Sequence, residues 1–171
     1  MAHQMSNVAE IRLNCTVKPL RFYVYFLLFV FTLQLCIVSV AVGMNVELDE
    51  SSAEYIRQTE DRIVSQWTEV SADEKHQLRD KFDEILRPLG LQTRLVVVER
   101  ANSLALYFIC MTLSALMSLR DQWRSRQLRD IVRSLFTLLS RATRTVRVWE
   151  IIWPLTDYQR CLVFFNYSVQ G

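Results

Sequence analysis

Residues 22–42 read FYVYFLLFVFTLQLCIVSVAV, a stretch without a charge in which Gln34 is the only strongly polar side chain. At a rise of about 1.5 Å per residue, roughly 20 such residues span a hydrocarbon core about 30 Å thick. A helix that is apolar on every side has no water-facing stripe in so small a chain. The stretch therefore predicts a membrane segment over residues 22–43.

Two kinds of segment fit. Ala41-Val42-Gly43 resembles the small-residue cut of a secretory signal, whose apolar core runs about 7–15 residues. This apolar run is longer than that and follows a long leader, residues 1–21, which suits an uncleaved signal-anchor better. Arg12, Lys18 and Arg21 precede it, and Glu47, Asp49, Glu50 and Glu54 follow. The positive-inside rule, which counts Lys and Arg, then places the N-terminal tail in the cytosol.

The net charge of +2 hides a division along the chain. Residues 44–100 hold eight bases against thirteen acids, whereas residues 101–171 hold nine arginines against four acids. Apolar residues make up 51% of the sequence, which argues against disorder. Cys15, Cys36, Cys110 and Cys161 lie far apart, in no spacing that would hold zinc.

Within the acidic part, Ser51-Ser52-Ala53-Glu54 and Ser71-Ala72-Asp73-Glu74 both read as capping boxes, in which a hydroxyl and a carboxylate satisfy the first amides of a helix. Ile56, Ile63, Trp67 and Val70, then Leu78, Phe82, Ile85, Leu86 and Leu89, recur at helical spacing, and Pro88 with Gly90 ends the run. These signals predict an antiparallel helical hairpin over about 52–69 and 72–87, packed through Trp67, Leu78, Phe82 and Ile85. Its acids form a solvated face, because their spacing matches no calcium loop.

Residues 101–119 (ANSLALYFICMTLSALMSL) are again uncharged, and arginines follow them closely at 120, 124, 126 and 129. The stretch predicts a second span, which would put the acidic residues 44–100 on the lumenal or extracellular side and both basic flanks in the cytosol. A core helix of a soluble four-helix bundle is the other reading, and it would use the Ser, Thr and Asn residues for hydrogen bonds.

In residues 120–171, apolar positions from Leu128 through Ile131, Val132, Leu135, Leu139, Ala142, Val146, Trp149 and Trp153 step by 3 and 4. Arg126, Arg129, Arg133, Arg141, Arg144 and Arg147 fall on the opposite side, within about 120° of arc. This predicts one long basic amphipathic helix ending near Pro154. Its arginines could simply face water, lie on anionic lipid, or meet an acidic partner. Nucleic acid is set aside, because no fold signature or aromatic stacking platform accompanies them. The apolar, aromatic tail Tyr158–Ser168 is expected to dock on the body, since exposed it would be an aggregation-prone strand.

Only three Gly and two His are present, and no phosphate loop, nucleophile arrangement or metal constellation is legible. The sequence therefore predicts an all-α membrane protein that uses no cofactor and is not an enzyme. It would act through helix-mediated association with a protein partner and contact with membrane lipid. A secreted or type II anchored helical-bundle ligand and an accessory subunit of a membrane complex are the alternatives.

Overall fold

The computed structural model describes residues 39–49, 52–142 and 144–169. It begins with a strand, β1 (Val40–Leu48), in which Val40, Val42, Met44, Val46 and Leu48 are buried while Asn45 and Glu47 face out. That period of two is the signature of a sheet with one covered face. Two helices follow, α1 (Ala53–Ala72) and α2 (Arg79–Leu86), with a 3-10 turn at Arg87–Leu89. Strands β2 (Thr93–Arg100) and β3 (Leu104–Cys110) form a hairpin, then come α3 (Leu113–Arg124), α4 (Gln127–Ser140), β4 (Val148–Ile152) and α5 (Leu155–Val169).

The sheet order is β2-β3-β1-β4, and every neighbouring pair is antiparallel. Two helices lie between β1 and β2, and two more between β3 and β4. The connectivity is a split β-α-β-β-α-β arrangement with α5 appended. The register sets Val42 opposite Phe108, Met44 opposite Leu106 and Val46 opposite Leu104. These side chains join Ile63 and Val70 of α1, Leu116 and Leu119 of α3, and Val132, Leu135, Phe136 and Leu139 of α4 in one core. Each fully buried Leu or Phe contributes roughly 1.5–3 kcal/mol, so this layer is the main source of stability.

This fold overturns the all-α membrane architecture. Among the described residues, no helix is long and apolar enough to cross a membrane. Residues 101–119 are not a second span. Leu104–Cys110 is the strand next to the sheet centre, and Leu113 opens α3 after Thr112, whose hydroxyl accepts from the Ala115 amide at 3.1 Å. The stretch is uncharged because β3 is buried on both faces, with Ala105 and Ile109 covered as well as the core-facing residues. The two-sided topology falls with it. Most of β1 and all of β2 come from the acidic residues 44–100, β3 and β4 from the basic residues 101–171, and all four hydrogen-bond in one sheet. Val40–Gly43, assigned to the anchor, are part of β1, while residues 22–38 of that anchor lie outside the described residues.

The helix boundaries also shift. Ser71-Ala72-Asp73-Glu74 starts no helix: α1 runs through Ala72, the Ser71 hydroxyl donates back to the Thr68 carbonyl, and α2 begins at Arg79. The single basic helix is in fact α4, which stops at Arg141 in a left-handed conformation (φ 50°), followed by a connector and β4. The apolar tail is helical. Tyr158, Cys161 and Phe165 of α5 are buried, and Cys161 Sγ lies 4.0 Å from the Ala41 carbonyl. β4 pairs only with Asn45–Leu48 of β1, so α5 covers the upstream part of that edge, which would otherwise be open to strand addition.

Candidate functional site

The turn from α3 to α4 brings arginines together. Leu116 and Leu119 point α3 into the core, which leaves Arg120, Trp123 and Arg124 at its C-terminal end beside β4. Ser125 closes α3 by donating its amide to the Asp121 carbonyl, and Arg126 then caps α4 with φ 67° and ψ 4°. A non-glycine residue in this left-handed region costs about 1–2 kcal/mol. Arg129 follows in the first turn of α4, where the helix dipole disfavours a cation by about 0.3–1 kcal/mol. Two local penalties thus coincide at one turn, which is a mark of sites shaped for function.

The opposite wall is the outer edge of β4 and the start of α5. The Trp123 Nε1 donates to the Ile151 carbonyl at 2.8 Å, and Arg129 Nη1 approaches the Trp149 carbonyl at 3.4 Å. These contacts occupy edge carbonyls of β4 and join the two helices to the sheet. Trp153 packs edge-on against Trp123 and Tyr158, with ring centroids 6.0 and 5.4 Å away. Arg120 lies over the Tyr158 ring with Cζ 4.1 Å from the centroid, a stacked cation–π contact. The Trp153 Nε1 is buried without a hydrogen-bond partner among the described residues.

Between these walls runs a cleft of ≈ 990 Å³, lined by Arg120, Arg124, Arg126 and Arg129 and by the aromatic residues Trp123, Trp149, Trp153 and Tyr158. Among the described residues, Glu150 is the sole acid on its lining. Among the described residues none of the four arginines forms an ion pair. Trp149 is 62% exposed, a large aromatic surface left open to water.

The arginines predicted to share one helix face are dispersed. Arg126 and Arg129 enter the cleft. Arg133 pairs with Asp130 at 2.9 Å on the surface of α4. Arg141 lines a second cleft with Lys75, His76 and Asp73, where both signs of charge occur. Arg144 and Arg147 are exposed in the connector before β4. Arg120 and Arg124, read from sequence only as a basic flank, take the vacated places, and their i, i+4 spacing beside Trp123 is a signal that could have found them. Of the hairpin residues, Trp67 and Phe82 are buried in ring contact at 5.2 Å, with Leu78 and Ile85 partly buried against the core.

Two other polar features are structural. Glu60, 4% exposed on α1, accepts from Arg100 Nη2 at 2.9 Å and from the Ser103 hydroxyl at 2.6 Å, and Asp61 also pairs with Arg100. This ties α1 to the β2–β3 hairpin. Burial pushes the Cys110 thiol up to about 12, far from the range of a reactive thiolate. Among the described residues no group of three His, Cys, Asp or Glu side chains stands close enough to hold a metal ion.

No protein-family model matches the chain, and no curated protein or solved structure is significantly similar to it. Its function is therefore argued from the cleft itself.

Proposed function

We propose that the protein is a binding module whose arginine–tryptophan cleft holds an anionic, phosphate- or carboxylate-bearing partner. One observation carries the reading: four arginines, none ion-paired among the described residues, converge on one concave, aromatic-lined surface. Arginine keeps its charge throughout the physiological range and offers a planar fork of donors matched to carboxylate or phosphate oxygens. The left-handed backbone of Arg126 supports the same view, since that conformation costs folding energy at a non-glycine residue. Binding is assigned to the cleft because its guanidinium groups supply charge and hydrogen-bond donors.

The test is titration of the full chain with inorganic polyphosphate, comparing wild type with an Arg124→Gln, Arg126→Gln, Arg129→Gln variant. Removing three contacts should weaken binding by well over tenfold and flatten its dependence on salt, since fewer counterions are released. Equal binding by both proteins, with the variant folded, would remove the cleft from this role.

A further inference from the structure

We infer that the anionic partner is single-stranded nucleic acid, with an unstacked base laid on Trp149 and its phosphates held by the cleft arginines. This rests on the anionic-partner reading above and narrows it. The sequence argued against nucleic acid because no aromatic platform accompanied the arginines, yet the fold supplies one. β4 and the α3–α4 turn are separated in the chain, and the sheet edge brings Trp149 to the same cleft as Arg124, Arg126 and Arg129.

Three observations favour a base over a bare anion or an acidic peptide. First, Trp149 keeps 62% of its surface in water while its carbonyl is approached by Arg129, so the residue is anchored through its backbone beside the charge. An indole held in that way, with most of its surface exposed, offers a flat face for stacking, worth about 1–3 kcal/mol per base. Second, Arg120 stacked on Tyr158 at 4.1 Å puts another planar group in the same lining, with its donor edges still available. Third, a cleft of ≈ 990 Å³ is at the upper end of the range for small-molecule sites, roughly 300–1,000 Å³, and has room for a base with its phosphate. An acidic peptide would use the arginines and leave the indole face without a role. Duplex nucleic acid keeps its base faces covered, so a stacking platform selects a single strand.

The test titrates the full chain with three labelled probes: a thymidylate strand about ten nucleotides long, an abasic phosphodiester strand of equal length, and a poly-glutamate peptide. Anisotropy reports binding, and indole fluorescence reports stacking. The expected result is about tenfold tighter binding of the thymidylate strand than of the abasic one, with quenched indole emission. Trp149→Ala should abolish that preference and Trp149→Phe should keep most of it. Equal binding of based and abasic strands overturns the stacking assignment and leaves the anionic reading intact. Tighter binding of the peptide than of either strand also overturns it, in favour of an acidic protein. Failure of polyphosphate and all three probes to bind would end both readings.

Discussion

Arg100 and the cleft arginines carry the same charge in opposite circumstances. Arg100 reaches from the β2–β3 hairpin to a nearly buried Glu60 and to Asp61, so its charge is spent within the fold. Arg120, Arg124, Arg126 and Arg129 meet no carboxylate among the described residues and share a lining with exposed aromatic surface. A buried carboxylate left alone is strongly destabilising, whereas an exposed guanidinium left alone is merely hydrated. The comparison therefore separates a charge that holds the structure together from charges left available to a partner.

The largest effect should come from breaking the lock. Arg100→Ala strands Glu60 at the α1–hairpin junction, and denaturant unfolding should show a loss of about 3 kcal/mol, at the lower end for a buried pair because Arg100 is itself half-exposed. Removing both charges, with Arg100→Leu and Glu60→Met, should recover much of that loss in a double-mutant cycle. Neither change should alter polyphosphate binding. If Arg100→Ala weakened binding as much as the cleft substitutions do, the separation of roles would fail.

A smaller effect, of the opposite sign, is expected at the two left-handed arginines. Arg126→Gly and Arg141→Gly relieve positive φ at either end of α4, and each should raise stability by about 1 kcal/mol in thermal unfolding. Only Arg126→Gly should weaken anion binding, since Arg141 lies in the other cleft. Loss of binding in both variants would point to the helix as a whole, not to the cleft.

The smallest effects concern pH. Burial, followed by the nearby Glu99, pushes the Tyr107 phenol from 10.0 up to about 12. Its folded value lies above its unfolded one, so its contribution to stability is complete below about pH 10 and is lost as pH rises through about 12. Phenolate absorbance should show Tyr107 titrating with alkaline unfolding. Polyphosphate affinity, which depends on arginines, should stay flat between about pH 7 and pH 9. A clear inflection in that range would show that another titrating group contributes to the site.

How much of this was legible in the sequence depended on period and length. The helices around Ile63, Trp67 and Phe82 were visible because their apolar spacing of 3 and 4 extends over several turns. β3 was not, because LALYFIC is a short run buried on both faces, and such a run looks the same in a strand as in an apolar helix. β1 was hidden for a related reason: its alternation begins at Val40, directly after an apolar stretch that absorbed its first residues. The basic helix misled because Val146 and Trp149 continue the helical spacing by coincidence, while the break rests on the backbone of Arg141, which is not a residue that announces a turn. Two of the four cleft arginines, Arg126 and Arg129, were therefore among those the sequence singled out. The rest of the site needed the fold, since Arg120 and Tyr158 meet only once α5 packs beside α3.

The most direct measurement is polyphosphate binding by three forms of the full chain at two salt concentrations: wild type, the Arg124→Gln, Arg126→Gln, Arg129→Gln variant, and Arg100→Ala at a temperature where it is folded. Salt-sensitive binding is expected to be retained in Arg100→Ala and to fall by well over tenfold in the cleft variant, with a shallower salt slope. Binding lost in Arg100→Ala but retained in the cleft variant would contradict this separation of roles.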